Sequence, residues 1–460
     1  MKGMMIVENI NELIESSVNT CSKPSDLKIT DMRFTDIIGA PMPCTLMKIY
    51  TNQGITGFGE VRDGSSRTYA SILKSRLLGE NPCNVDKLFR RIKQFGGVSR
   101  QAGGVCGVEV ALWDLAGKAF GVPVYQMLGG KFRDKIRIYC DTDVNGKHTG
   151  KEMGEALKKR MEMGFTFLKM DLGLGILNGE PGAVNAPLGY FEESDSMYKS
   201  QNEAKTPEER RYWQNRNYDR YNTAHPFTWV HITEKGFDIL ENYVKEVREV
   251  IGYEIPLAID HFGHIGVEDC IKLCRRIEKY NIAWAEDMIP WQYTNQYVRL
   301  TNSTTVPICT GEDIYLKEGF IPLFKAGGVS VIHPDLLSSG GILENKKIGD
   351  LAQENGVAMA VHMAETPVTA YAAVHSVAAT ENFLACENHS VDVPWWDDIT
   401  IGTPTKIVQN GFITVPDKPG LGIDDLNDEV LKQHINPELP ELWASTEMWD
   451  TEHSNDMLWS

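Results

Sequence analysis

From about residue 136 onward, eight short apolar runs alternate with segments of helical period. The runs are IRIYCDT, FTFLKMD, IPLAIDH, IAWAED, VPICTGED, VSVIHPD, VAMAVH and FLACEN. Runs this apolar suit parallel strands covered on both faces. Parallel strands need crossover helices, and the intervening segments supply them. In VEDCIKLCRRIEKY, Val267, Cys270, Ile271, Cys274 and Ile277 fall on one helical face. GGILENKKIGDLAQENG groups Ile348, Leu351 and Ala352 and stops at Gly356. Eight strand–helix alternations over roughly 250 residues match the size of a TIM-type barrel.

The chain ahead of the barrel reads differently. Residues 28–70 carry β-type alternation around an Asn52-Gln53-Gly54 turn. Residues 69–121 are helical in pattern, and GVCGVEVALWDLAGKAFG is apolar on most faces, as a buried helix is. Strands followed by helices predict a separate α+β domain over residues 1–135, with 1–27 as an extension and the barrel over 136–395. One connection breaks the barrel rhythm. Residues 174–233 are polar and aromatic, with helical potential confined to TPEERRYWQNRNYDRY, and read as a lid or interface insertion.

Composition excludes several classes of function. A net charge of −17 argues against nucleic acid and against anionic membrane surfaces. Nine cysteines, an odd number without a CxxC pair, suit a reduced cytoplasmic chain rather than a disulfide scaffold or a zinc site. The N-terminal MKGMMIVENINELIESS has acidic residues where a secretory leader needs an unbroken apolar run, and no stretch reaches transmembrane length.

Barrels of this type place their chemistry at the C-terminal ends of the strands. From the second run onward, the residues there are Lys169 and Asp171, Asp260, Glu286, Glu312, Asp335, His362 and Glu387. One carboxylate after a strand is commonly a helix N-cap. Three on successive strands, Asp260, Glu286 and Glu312, would converge on one axis, and such a cluster is unstable without a cation. A hard divalent ion answers this: Mg²⁺ accepts a few carboxylates and leaves positions for water and substrate, and Mn²⁺ suits the same ligands. His362 alone would be an ordinary packed histidine. Asp335 on the neighbouring strand can hold its tautomer and raise its basicity, which makes a general acid/base. Lys169, in an apolar run, must meet anions: the substrate carboxylate or the ligand cluster.

These residues resemble the mandelate racemase-like subgroup of the enolase superfamily. Asp260, Glu286 and Glu312 are spaced 26 and 26 residues apart, Asp335 follows at 23, and His362 lies 50 beyond Glu312. The Asp335-Leu-Leu-Ser-Ser-Gly-Gly341 segment also resembles that family, as do GITGFGEV, VALWDLAGKAFGVPVYQMLGG and VPDKPGLG. The match spans roughly residues 28–430 without the insertion. It implies a modified (β/α)₇β barrel with an N-terminal α+β capping domain, to which residues 396–460 return. It implies metal ligands at Asp260, Glu286 and Glu312, a His362–Asp335 dyad, substrate contact from Glu387, and a homo-oligomer. Cap loops 36–43 and 60–67 would close over the barrel, offering Arg62 and Arg67 to an anionic, hydroxyl-rich substrate.

The chain departs from the family where Lys-x-Lys is usual: it has Lys169-Met170-Asp171. A racemase needs acid/base groups on both faces of the α-carbon, whereas a dehydratase manages with one. Asp171 is a weaker base, so dehydration of a sugar acid to a 2-keto-3-deoxy acid is expected, in carbohydrate-acid catabolism. A racemase, epimerase or cycloisomerase is the alternative, and a non-catalytic binding member is the third reading. Some dehydratases of the superfamily carry a histidine two residues after the third-strand aspartate. Phe262 stands there, and His264 beyond it is offered as an acid or substrate contact. His261 should point to the other side of its strand, and His333 is expected to be structural.

Overall fold

A computed structural model of the protein describes residues 22–143, 146–177, 179–186, 200, 203–219, 225–260 and 265–452. His261 and His264, most of the N-terminal extension and much of the insertion lie outside the described residues. The chain forms two compact units. One comprises Met1–Cys140, Gly311–Ile321 and Ile332–Ser460; the other comprises Asp141–Thr310 and Pro322–Val331. All eight apolar runs contain a strand where expected.

The first unit opens with an antiparallel meander of β1 (Ile29–Ile37), β2 (Cys44–Thr51) and β3 (Thr56–Val61). The β2–β3 turn closes at Gly54, whose φ of 77° suits glycine. Helix α1 (Gly103–Phe120) lies on this sheet and is buried along its length except at Trp113, Lys118 and Phe120. Met32, Phe34, Met47, Ile49, Val108 and Leu112 belong to the core so formed. Two glycines allow this approach. A Cβ on Gly107 would stand 2.1 Å from the Glu60 carbonyl oxygen, and one on Gly59 would stand 2.2 Å from the Gly107 carbonyl oxygen. Gly107→Ala must push helix and strand apart. It is expected to lose about 3 kcal/mol of stability, the upper end of the usual overpacking cost; an unchanged urea midpoint would contradict the packing.

Two acidic side chains inside α1 tie distant segments to it. Asp114 accepts from the Phe58 and Leu421 amides at 2.9 and 2.8 Å. Glu109 accepts from the Ile342 and Leu343 amides at 2.7 and 3.1 Å, satisfying donors that have no intrahelical acceptor at the start of helix Ile342–Glu354. The last strands of the chain belong to this unit. Ala360 donates to the Ile332 carbonyl, Asp335 and His362 form a parallel bridge, and so do Val361 and Cys386. Cys386–Glu387 pairs in parallel with Lys135–Tyr139, whose other edge takes Phe412–Thr414 antiparallel. The expected strand VSVIHPD shortens to Val331–Ile332, because Pro334 offers no amide to the ladder. The C-terminal segment returns to β1: the Thr446 hydroxyl donates to the Met32 carbonyl at 2.6 Å.

In the second unit, Leu168–Asp171, Leu257–Asp260, Ile282–Glu286 and Ile308–Thr310 pair in parallel in that order. The register sets Asp171 opposite Asp260 and Glu286 opposite Cys309. Helix Val267–Ile277 buries Val267, Cys270, Leu273, Cys274 and Ile277. Leu273 replaces the expected Ile271, which is half-buried, so the buried stripe is rotated from the predicted one. The described ends of the insertion are held together by a two-stranded antiparallel ribbon, Val184–Asn185 against His231–Ile232. Within the insertion, helix Pro207–Tyr218 starts at a Thr206/Glu209 capping box and leaves Tyr212 and Tyr218 exposed. Among the described residues no helix is long and apolar enough to cross a membrane, and no disulfide joins any two of the eight described cysteines.

Candidate active site

Two groups of strand-end side chains are built, one in each unit. In the second unit, Lys169 and Asp171 point to the same side of their strand, two residues apart. The Lys169 side chain is fully buried, and burying an ammonium is costly unless anions meet it. Its Nζ lies 2.5 Å from Asp260 Oδ2, 2.8 Å from Glu286 Oε1 and 3.9 Å from Asp141 Oδ1. Glu286 is itself fixed: its Oε2 accepts from Trp284 Nε1 at 2.6 Å, and the indole stacks on Phe167. Asp141, Asp171 and Asp260 bring carboxylate oxygens within 4.8 Å of one another.

In the first unit, the parallel bridge between Asp335 and His362 sets the two side chains in register. His362 Nδ1 lies 2.6 Å from Asp335 Oδ2, while Asp335 Oδ1 caps a short helix by accepting from the Leu337 amide. In a neutral ring that donates Nδ1–H to Asp335, the lone pair stands on Nε2. Nε2 lies 3.3 Å from Glu312 Oε2 and 3.9 Å from Glu387 Oε2. Glu387 is buried, and its other oxygen is 3.4 Å from His389 Nε2. His362, Glu387 and His389 also bring ligand-type atoms within 4.8 Å of one another. His333 is wholly buried, with its ring centroid 6.2 Å from that of His362.

Arg62 stands elsewhere than on the loop surface. It follows β3 directly, and its side chain is fully buried. Nη1 is bonded to Asp335 Oδ2 and lies 3.1 Å from Glu365 Oε1 and 3.1 Å from His362 Nδ1. Nε is 3.3 Å from Asp63, and Nη2 is 3.8 Å from Glu312. Burial alone would lower the arginine pKa, but Asp335, Asp63, Glu365 and Glu312 outweigh it and hold the pKa well above its ordinary value. Burial pushes the Asp335 carboxyl up, against the lowering pull of Arg62. Burial and the Asp335 charge push Glu365 up, again opposed by Arg62. Arg67, by contrast, pairs with Asp36 and so joins the two cap loops.

Asp141, Asp63, Glu365 and His389 were not singled out from the sequence. Asp141 ends the first apolar run, where the strand-end rule could have found it. His389 lies two residues beyond Glu387, just past the end of that strand. Glu365 and Asp63 carry no pattern of their own; only the arginine they share shows their place.

The family resemblance implies a bound divalent cation, and the donors fit one. Asp260, Glu286, Asp141 and Asp171 offer hard carboxylate oxygens, the set that Mg²⁺ and similar ions take. Acid-rich and histidine-containing clusters able to hold a metal are thus present in both units.

Comparison with known proteins agrees over nearly the whole chain. Residues 21–129 match the mandelate racemase/muconate lactonizing enzyme N-terminal domain, and residues 214–429 match the enolase C-terminal domain-like family. A D-xylonate dehydratase of Haloferax volcanii is 31% identical over 418 residues, 89% of each chain. A D-galactonate dehydratase of Ralstonia pickettii is 26% identical, over 86% of this chain and 91% of its own. A solved mandelate racemase/muconate lactonizing enzyme-like protein from Rubrobacter xylanophilus superposes with a TM-score of 0.74 at 27% identity, covering 90% of this chain and 99% of its own. The fold class is that of these proteins, an α/β modified TIM barrel with an N-terminal α+β capping domain. The chain belongs to the mandelate racemase/muconate lactonizing enzyme family of the enolase superfamily.

Proposed function

We propose that this chain is a hydro-lyase that removes the proton α to a sugar-acid carboxylate and expels the β-hydroxyl as water, giving a 2-keto-3-deoxy acid. The observation that carries this reading is the buried His362–Asp335 pair, in which Nδ1 lies against Asp335 and Nε2, beside Glu312 and Glu387, is the nitrogen that would exchange a proton with substrate. On the second strand the only lysine is engaged by Asp260 and Glu286, and Asp171 occupies the other position. One strong base favours elimination over racemisation, which needs two. The xylonate and galactonate dehydratases among the relatives support an aldonate of five or six carbons.

In this reading His362 Nε2 accepts the α-proton and Asp335 stabilises the imidazolium. Lys169 supplies positive charge near the substrate carboxylate as the enediolate develops. Asp260 and Glu286, with Glu312 as the third ligand that the family resemblance implies, would hold Mg²⁺, for which Mn²⁺ can substitute; when bound, its charge would stabilise the same enediolate. Glu387 meets a substrate hydroxyl, His264 contributes from beyond the third strand, and Asp171 flanks the second face. Arg62 was expected to touch the substrate; engaged by Asp335 and Glu365, it is assigned instead to positioning the dyad. The enzyme is placed in the cytoplasm, as a homo-oligomer like others of its family.

The test is incubation with a panel of aldonates and aldarates, D-xylonate and D-galactonate included, with Mg²⁺ present. Formation of a 2-keto-3-deoxy acid is expected, lost on chelation and restored by Mg²⁺. Exchange of the α-proton without loss of water would point to an isomerase instead. Full activity without a divalent ion would remove the metal assignment.

A further inference from the structure

Expelling hydroxide from a β-carbon needs an acid, because hydroxide is a poor leaving group and water a good one. A lone His362 would have to deliver to the oxygen the proton it has just taken from carbon. The first unit holds a second imidazole beside it. The His389 ring centroid lies 5.4 Å from that of His362, with the rings inclined at 53°. Buried Glu387 stands between them, one oxygen 3.9 Å from His362 Nε2 and the other 3.4 Å from His389 Nε2. His389 sits on a fixed turn: the Asn388 amide donates to Tyr139, Asn388 Oδ1 accepts from the Ser390 amide, and the Ser390 hydroxyl bonds the Ala40 carbonyl at 3.1 Å.

We infer that His389 is the general acid for the departing hydroxyl, acting beside His362 as the base. This rests on the dehydratase reading above. The Cα–H bond breaks, its proton goes to His362 Nε2 and its electron pair passes into the enediolate; as the enediolate collapses, that pair becomes the Cα=Cβ bond of the enol. The Cβ–O bond breaks as His389 Nε2 gives its proton to the oxygen, which leaves as water. His362 ends with one proton more and His389 with one fewer. Glu387, within ion-pair distance of both, links the rings through which the proton balance is restored. The enol then tautomerises to the 2-keto-3-deoxy acid. Two rings about 5 Å apart, each reaching about 3 Å to its proton, span a Cα–H and the oxygen of the adjacent carbon.

The decisive variant is His389→Gln in the full-length, metal-loaded protein. Loss of water from a sugar acid is expected to slow by roughly 10²-fold or more, while α-proton exchange in D₂O, followed by NMR, stays within a few-fold of wild type. A 3-deoxy-3-fluoro sugar acid, whose fluoride needs little protonation to leave, should be processed by the variant at close to the wild-type rate. Dehydration at the wild-type rate in His389→Gln would overturn the proposal. So would equal loss of exchange, dehydration and fluoride release, which marks a structural residue, or loss of bound metal from the variant, which marks a ligand. If the wild-type enzyme exchanges the α-proton but forms no 2-keto-3-deoxy product from any sugar acid, the dehydratase reading falls, and the acid role with it.

Discussion

His362→Asn is expected to lower turnover by about 10⁴-fold, the upper end of what a positioned acid/base group contributes. Asparagine can still donate to Asp335, so the hydrogen bond now made at 2.6 Å has a replacement and the fold should survive. What it cannot do is accept a proton at the place of Nε2. Exchange of the α-proton in D₂O and dehydration should therefore disappear together, in contrast to the separation expected at His389. Circular dichroism and thermal unfolding close to wild type would show that chemistry rather than folding was lost. Exchange persisting within tenfold of wild type would remove His362 from the role of base.

Arg62→Met is expected to have the second large effect, first on stability. It leaves Asp335, Glu365 and Asp63 in a dry interior without the guanidinium that joins them. Breaking a buried ion network in this way costs about 3–5 kcal/mol. The loss should depend on pH, with a definite sign. Burial raises Asp335 and Glu365 above the ordinary carboxyl range, and Arg62 opposes that rise. Without Arg62 the folded-state values climb further, so around neutral pH the folded variant binds protons that the unfolded chain does not. Stability then falls as pH rises. The deficit should be smallest in mild acid, where both carboxyls are protonated, and should grow through neutrality.

The wild type carries a weaker form of the same trend. Burial pushes Glu60 and Glu109 up to about 8. Each contributes stability that is present below the unfolded carboxyl range and lost as pH rises toward 8. Urea unfolding of wild type and Arg62→Met at pH 5.5 and 8.5 measures both slopes, and a pH-independent deficit would contradict the account. In the fraction that remains folded, kcat should fall more than KM rises, because Arg62 touches Asp335 and His362. Arg62→Lys should recover only part of the activity, since an ammonium lacks the planar fork that meets several acceptors at once.

Much of this was legible in the chain because parallel strands buried on both faces leave an unmistakable trace. An apolar run that stops at an ionisable residue marks both a strand and the end where chemistry sits. Lys169, Asp260, Glu286, Asp335, His362 and Glu387 were found in that way. The trace fails where side chains meet through tertiary packing alone. Nothing around Arg62 in EVRDGSSR distinguishes a buried guanidinium from a loop cation, because its partners Asp335, His362 and Glu365 lie some 270 to 300 residues further along. Glu365 was missed for the same reason. The rotation of helix Val267–Ile277 was a finer failure: Ile271 and Leu273 are both apolar, and only the neighbouring packing decides which is buried.

The ribbon of Val184–Asn185 against His231–Ile232 has an evolutionary consequence. A segment whose two ends are clamped side by side behaves as a cassette. Its length and composition can drift while the strands on either side keep their register. Lengthening such a closed loop is cheap, with each doubling costing only about 0.6 kcal/mol. Descendants of this gene can thus trade one cassette for another and inherit the acid/base residues unchanged. Diversity among these enzymes should concentrate between residues 185 and 231, while the proton-handling residues of the strand ends stay constant.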